Sequence, residues 1–495
     1  MQMTQSDPNS SYLGRLRAKL HAGDGLKAHV FRGGTWLGMG SVFEQLFRFG
    51  RNMLLTRLLF PEAFGMMAII YSVGAVVYTL TEIGVKEALI QHPLGKDERY
   101  VNSAWWLAFG RGLGLYVVLF TAAPFLAKFY GNAQLAPLAR VALLTTVFLG
   151  AQSSKAFVAL KEMKFKRWAF IEYGGGACGS IIVVVLALLT HSVWALAIGY
   201  AGENFMRCAL SYVICPFVPK FKIDRESIRE LLKFSKGVFG LSLLNLIYMR
   251  TDVFVLGKMF PAAQLGVYTM GIYLIQVPSS FLMNVINQTL VPSFARIQDD
   301  HARINRIVRR ATATLIIVGM PVLIFMVVGG RGMLALLYGS RYASAYLPLM
   351  VAAMVSLVDL TNGLITMVFY AKGVPQFHRR CVFIMAVMMM ILVYPAVRYF
   401  GFVGGQLAAL ISVSVGYVSQ LFRIRSLTGL DFAEYSRPLS FAIAVGLGIL
   451  AVFFAIRQAV ATTQPLWGIG LGALGCAIAL AICSRLLLRQ LMSEA

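Results

Sequence analysis

The chain has 495 residues, 58% of them hydrophobic and only 13% charged, with a mean hydropathy of +0.72 and a formal net charge of +24. An ordinary soluble domain carries about 25% charged residues, so a soluble fold is excluded. The basic excess does not mark a nucleic-acid binder, because Lys and Arg fall mostly in short segments between apolar runs and leave no recognition helix or soluble basic domain.

In chain order, residues 1–32 are polar, carry Arg15, Arg17, Lys19 and Lys27, and lack the pattern of a cleavable signal. They are expected to form a cytoplasmic tail. Apolar runs of about 20 residues follow, each long enough to cross about 30 Å of hydrocarbon as a helix. They predict helices at 36–59, 64–90, 101–126, 138–157, 168–189, 193–214, 237–259, 265–291, 311–328, 346–370, 381–397, 403–422, 439–456 and 467–488. The expected fold is therefore all-α, a polytopic membrane protein of about 14 transmembrane helices. The six cysteines (Cys178, Cys208, Cys215, Cys381, Cys476, Cys483) lie in or beside these runs, with no CxxC pair. Neither a disulfide framework, a metal site nor a cofactor is expected.

Charge checks the helix count. With a cytoplasmic N-terminus, the even-numbered connections and the two tails hold about 31 of the 45 Lys and Arg. The odd connections hold about seven: Arg57, Lys128, Lys258, Arg331, Arg341, Arg398 and Arg457. This is the positive-inside pattern and places both termini in the cytoplasm.

The chain also repeats itself. Arg57-Leu58-Leu59-Phe60-Pro61 before Gly65 matches Lys258-Met259-Phe260-Pro261 before Gly266, and Phe129-Tyr130-Gly131 matches Leu337-Tyr338-Gly339. The offset is six helices, so the copies share one orientation, which predicts two parallel six-helix lobes around a central cavity. The expected division is an N-lobe at 33–215, a cytoplasmic linker at 216–236, a C-lobe at 237–425, and two extra helices with a short tail at 426–495.

The segment Leu54-Leu55-Thr56-Arg57-Leu58-Leu59-Phe60-Pro61-Glu62-Ala63-Phe64-Gly65 resembles the first loop of the Wzx-type polysaccharide flippases. These form the PST branch of the multidrug/oligosaccharidyl-lipid/polysaccharide exporter superfamily. Arg250-Thr251-Asp252, Leu265-Gly266-Val267-Tyr268 and the run from Pro292 to Asp300 are similar too. The resemblance covers about residues 30 to 430. It implies a non-enzymatic flippase of the bacterial cytoplasmic membrane, carrying a lipid-linked oligosaccharide through the bilayer by alternating access. Other polysaccharide assembly proteins would be its partners. A peptidoglycan-precursor flippase and a cation-coupled multidrug exporter are the alternatives. A membrane glycosyl-transfer enzyme fits less well, since every predicted external connection is short. No ATP-binding motif is present, so an ion gradient, the membrane potential or consumption of the product must supply the energy.

Charges inside helices name the candidate site, because each costs about 2.5–3.5 kcal/mol at a helix centre unless paired or wet. Glu44/Arg48, Glu82/Lys86 and Glu203/Arg207 have i, i+4 spacing, which sets both members on one helical face. In the first helix Ser41, Glu44, Gln45, Arg48, Arg51, Asn52 and Thr56 share an arc of roughly 120°. That stripe forms either a cavity wall or a polar seam between helices. Arg111, in Gly110-Arg111-Gly112-Leu113-Gly114, has no acid one turn away and needs a partner on another helix or on substrate. Its glycines permit close helix approach. Stripes with Asn284 and Gln288 in the eighth helix and Asp359 in the tenth extend the pattern, and Asp252 is the repeat mate of Asn52. The anionic head of a polyprenyl pyrophosphate suits arginine forks. Arg48, Arg51, Arg111, Asn52, Glu44, Asn284 and Gln288 are therefore the expected substrate-binding residues. Asp252, Asp359, Glu203 and Arg207 are expected in ion coupling or charge balance.

Overall fold

The computed structural model describes residues 26–235, 239–295 and 297–437, with isolated positions beyond. Apart from those positions, the predicted thirteenth and fourteenth helices lie outside the described residues. No strand occurs among the described residues. The helices of the first half are α1 (Leu26–Leu58), α2 (Pro61–Leu80), α3 (Val85–Gln91), α4 (Glu98–Tyr130), α5 (Leu135–Ala142), α6 (Thr145–Gly150), α7 (Ser154–Lys161), α8 (Phe165–Thr190) and α9 (Trp194–Ile214). A connecting helix, α10 (Arg225–Ser235), precedes α11 (Phe239–Met259), α12 (Ala262–Ala295), α13 (His301–Tyr338), α14 (Tyr346–Ala371), α15 (Pro375–Phe400) and α16 (Gly404–Thr428).

Seven stretches are long and apolar enough to cross a membrane, and an eighth is added if the bent pair Leu135–Gly150 and Ser154–Lys161 is one span. One of the seven, Pro375–Thr428, is a hairpin: α15 and α16 pack along each other after the chain turns at Gly401, φ +62°. α1, α9 and α11, which carry Glu44, Arg48, Arg51, Glu203, Arg207, Arg250 and Asp252, are not among the seven.

Two predicted helices are corrected. The second ends at Leu80; Gly84 then takes a left-handed φ of 61°, which favours glycine, before α3 begins. Glu82 and Lys86 thus no longer share a helical face. The fourth, 138–157, is three short helices with a bend of 54°. Freed backbone groups at membrane depth must find partners within the protein, and here other helices supply them. The Ala151 carbonyl accepts from Trp105 Nε1 at 3.2 Å and Tyr212 OH at 2.7 Å. Ser153 N donates to Ser211 Oγ at 2.9 Å, and Ser153 Oγ donates to the Cys215 carbonyl at 2.8 Å.

The connections sort to opposite ends, as strict up-and-down alternation requires. At one end Arg57 Nη2 donates to the Leu336 carbonyl (2.6 Å), Lys258 Nζ donates to the Phe129 carbonyl, and Arg341 lies 4.9 Å over the Phe60 ring. These are odd connections. At the other end the even connections meet through His92–Glu230, Lys96–Glu162, Lys220–Glu98 and Arg309–Glu434. The 216–236 segment is pinned there. Asn102 Nδ2 donates to the carbonyls of Lys220 and Lys222, at 2.7 and 2.6 Å, while Asn102 Oδ1 accepts from Lys220 N at 2.7 Å. Leu231 of α10 is fully buried against Ile83, Val85, Leu89 and Tyr100.

The halves meet where their repeats meet. A Cβ added to Gly65 would lie 1.8 Å from the Ala262 carbonyl oxygen, and one added to Gly266 would lie 1.8 Å from that of Pro61. Each repeat's Pro-Gly segment is thus seated on the other's, backbone to backbone. Burial follows this crossing. In α2, Pro61 and Ala63–Met67 are buried but Val76–Tyr78 are not; in α12, Leu265–Tyr268 are buried whereas Gln276, Ser280 and Asn284 are exposed. The close contacts described between the halves gather at the odd-connection end, and the polar residues of α12 beyond them are exposed.

Candidate functional site

Three arginines and three glutamates of α1, α8 and α9 form one network. Arg48 Nε and Nη2 both donate to Glu44 Oε1, at 3.0 and 2.8 Å, and Nη2 also reaches Glu203 Oε1. Arg207 binds Glu44 Oε1 at 3.1 Å, Glu172 Oε1 at 2.7 Å and Glu203 Oε1 at 3.0 Å. Arg51 lies 3.6 Å from Glu203 Oε2 and donates to Ser180 Oγ at 3.1 Å and, at 3.4 Å, to Oδ1 of the buried Asn52. Glu203, only 5% exposed, is the hub, since it meets all three guanidinium groups.

Space for the network comes from glycine. A Cβ at Gly175 would lie 2.3 Å from Arg207 Cγ, at Gly176 2.9 Å from Glu44 Oε1, and at Gly179 2.3 Å from Glu203 Cβ. The local pairs Glu44/Arg48 and Glu203/Arg207 were expected from spacing. Glu172 and Ser180 were not, although the run Gly174-Gly175-Gly176 with Gly179 was the available signal.

The polar stripe of α1 is therefore a seam with α8 and α9 at depth and a wall at its edge. Arg48 keeps 31% of its side chain exposed, against 16% for Arg51 and 13% for Arg207. The second half faces that edge. Ser280 Oγ of α12 donates to Gln45 Oε1 at 2.9 Å, and Tyr273 lies within electrostatic range of Arg48 and Arg51. Asn284 is exposed on the same helix. The side chain of Gln288 lies outside the described residues.

Arg250 of α11 was missed as a candidate. It is exposed, lies within electrostatic range of Tyr200 of the first half, and makes no ion pair among the described residues. An unpaired arginine this far from the helix ends requires water or a ligand. Its repeat mate, 200 positions earlier by the Phe-Pro motifs, is Gly50, where an added Cβ meets nothing within 4 Å.

The remaining candidates lie elsewhere. Arg111 Nη1 binds Glu82 Oε1 at 3.1 Å, and its guanidinium stacks 4.3 Å over Tyr78, so its partner is another segment of the first half. Lys86 instead lies over the Trp168 ring. Of the glycines beside Arg111, Gly112 makes the close approach, its would-be Cβ 2.4 Å from the Thr146 carbonyl. Asp252 is 7% exposed inside the second half, and no first-half arginine pairs with it among the described residues. It accepts from Tyr268 OH at 2.6 Å, Gln406 Nε2 at 3.4 Å and Val253 N at 2.8 Å. Asp359 and Asp252 both lie within electrostatic range of Tyr248, and Asp359 makes no ion pair among the described residues. Neither carboxylate makes an ion pair among the described residues, and Arg250 is the cation within electrostatic range of Asp252. No group of three or more His, Cys, Asp or Glu among the described residues could hold a metal.

Comparison with known proteins agrees with this architecture. The chain is 24% identical over 461 residues to the succinoglycan biosynthesis transport protein ExoT of Rhizobium meliloti (strain 1021), covering 89% of this chain and 90% of that protein. It is 23% identical to the lipopolysaccharide biosynthesis protein WzxC of Escherichia coli (strain K12), covering 87% and 88%. In fold it resembles the lipid II flippase MurJ in an inward closed conformation, with a TM-score of 0.75, 14% identity, and 92% of this chain and 99% of that one covered. An inward-facing multidrug resistance MATE family transporter gives 0.60 at 15% identity, covering 78% and 95%. The model of the family described as polysaccharide biosynthesis protein matches residues 54–347, more than half of the chain. The chain therefore belongs to that polysaccharide biosynthesis family, as a multi-pass helical membrane protein whose fold resembles those of the lipid II flippase and the MATE transporter.

Proposed function

We propose that the protein flips a polyprenyl-pyrophosphate-linked oligosaccharide repeat unit from the inner to the outer leaflet of a bacterial cytoplasmic membrane, supplying surface polysaccharide, lipopolysaccharide or exopolysaccharide assembly. The observation that carries the reading is a pair of exposed arginines, Arg48 at the edge of its network and Arg250 of the second half, which makes no ion pair among the described residues and lies within electrostatic range of Tyr200 of the first half. The relatives, one a succinoglycan biosynthesis transport protein and one a lipopolysaccharide biosynthesis protein, support the substrate class.

The network itself is neutral, with Arg48, Arg51 and Arg207 set against Glu44, Glu172 and Glu203. It holds Arg48 in place while leaving part of its fork free. A pyrophosphate accepts charge-assisted hydrogen bonds from guanidinium groups on more than one side, so it bridges Arg48 to Arg250 and draws the halves together at the even-connection end. Closing there and parting at the Gly65/Gly266 crossing is alternating access between the units 33–215 and 237–425. Asn52, Arg51 and Glu44 fix the wall, Asn284 and Gln288 meet sugar hydroxyls, and the lipid tail stays in the bilayer. Arg111 balances Glu82. Asp252 and Asp359 carry the coupling cation or proton. The basic even-connection end faces the cytoplasm, as do both termini.

A multidrug exporter for cations is disfavoured by arginines at the cleft. The test is deletion of the gene followed by lipid analysis. Lipid-linked repeat units should accumulate on the cytoplasmic face and surface polysaccharide should be lost while peptidoglycan remains intact. Cell lysis with accumulated peptidoglycan precursor would refute the reading.

A further inference from the structure

A second basic site lies away from the cleft. Between α11, α15 and α16 is a cavity of about 390 Å³ lined by Arg379, Arg380 and Arg423 together with Leu244, Phe383 and Ile384. It is at the even-connection end, where α15 begins and α16 ends. Arg380 and Arg423 both lie over the ring of Phe377, at 6.0 and 5.5 Å from its centroid. All three arginines are exposed, and none makes an ion pair among the described residues. A neighbouring recess shows the contrast: Arg309 there is paired with Glu434, beside Asp431. Ser419, hydrogen-bonded to Cys381 Sγ at 3.6 Å, adds a hydroxyl to the three-arginine cavity.

Positive charge at cytoplasmic helix ends is ordinary topology. What is not ordinary is its convergence on one recess with an apolar wall that continues into the membrane. From the recess, Phe383, Met390, Ile391 and Tyr394 are 55–62% exposed. Their spacing of i, i+7, i+8 and i+11 puts them on one face of α15. Guanidinium groups above and an apolar lane below match a phosphate joined to acyl chains. The lane is separate from the transport cleft, because Leu244 lies roughly 120° around α11 from Arg250 at 100° per residue.

We propose that this cavity binds the phosphate of an anionic glycerophospholipid of the inner leaflet, with an acyl chain along α15. The inference uses the fold and the charge topology but no property of the flipped substrate, so it can fail without touching the transport reading.

The experiment uses the purified full chain and follows thermal unfolding during titration with phosphatidylglycerol or phosphatidylcholine in mixed micelles. Wild type should be stabilised by phosphatidylglycerol at lower concentrations. Replacing Arg379, Arg380 and Arg423 by Gln should raise the half-saturating concentration about five-fold per arginine and leave unfolding in phosphatidylcholine unchanged. Equal response of wild type to both lipids, or an undiminished preference in the triple variant, overturns the site. Competition by inorganic phosphate alone would identify a free anion as the ligand, and tighter binding of a polyprenyl phosphate would identify the substrate; either overturns the proposal. A photoreactive phosphatidylglycerol on wild type decides the case without any variant. Label should fall on peptides containing residues 379–384 and 419–423, and label confined elsewhere refutes the assignment.

Discussion

Substituting Gly65 by Ala should unseat the crossing of the two halves at the odd-connection end. The added Cβ would lie 1.8 Å from the Ala262 carbonyl oxygen, whereas carbon–oxygen contact needs about 3.3 Å. The obstructing atom is backbone, so no rotamer relieves it, and α2 must part from α12 by about 1.5 Å. Overpacking of this kind costs about 1–3 kcal/mol. That cost falls only on the conformation in which these helices cross, so it shifts the equilibrium about 5- to 150-fold toward the opposite one. Spin labels at positions 60 and 341, after replacement of the native cysteines, report the change. Phe60 and Arg341 are in contact across the halves, 4.9 Å apart, and the variant should populate a longer distance. Gly266→Ala should act alike, its Cβ 1.8 Å from the Pro61 carbonyl oxygen. Because one separation relieves both clashes, the double variant should cost clearly less than the sum of the singles. An unchanged distance distribution in folded Gly65→Ala, or additive energies, would refute the reasoning.

Further outcomes follow from the network and its surroundings. Arg48→Ala leaves Glu44 bound to Arg207 and Glu203 bound to Arg51 and Arg207, so membrane protein should stay near wild type while normalised export of surface polysaccharide falls; full export would remove Arg48 from the anion site. Arg250→Ala should behave the same way, with Arg250→Lys retaining part of the export. Glu203→Ala strips the shared acid from three guanidinium groups, and breaking a buried pair costs about 3–5 kcal/mol, so immunoblots of membranes should show depleted protein; a normal amount would contradict the hub role. Asp252→Asn keeps the side-chain shape and one of the two acceptor oxygens and should abolish the dependence of transport on an imposed pH or Na⁺ gradient in proteoliposomes; an unchanged dependence rules out coupling there. Asn102→Ala removes three hydrogen bonds to the linker backbone, each worth about 1 kcal/mol, and should speed hydrogen exchange at 220–224.

The helices were legible because a span needs about 20 apolar residues whatever it packs against. Lys and Arg report the side of the membrane, and the described contacts join odd connections with odd and even with even. The break at 143–153 was not, since its backbone partners Trp105, Ser211 and Tyr212 lie 46 to 61 residues away and the run reads as continuously apolar. Within the site, Glu44/Arg48 and Glu203/Arg207 were visible through local spacing. Their fusion into one network was not, because it depends on the missing side chains of Gly175, Gly176 and Gly179. That Arg250 makes no ion pair among the described residues was equally hidden, because pairing is a property of the packed chain.

The same network sets a schedule for synthesis. Glu44 can pair with Arg48 as soon as α1 leaves the ribosome, but Arg51 must wait for Glu203, 152 positions later. At roughly 5–20 residues per second, that is on the order of 10–30 s during which α1 carries an unmatched cation. A nascent chain stopped before α9 is thus left with a charged helix that has no final resting place. Chains arrested between α8 and α9 should stay beside the insertion machinery or be handed to a membrane protease, which makes the order of translation part of how this bundle is assembled.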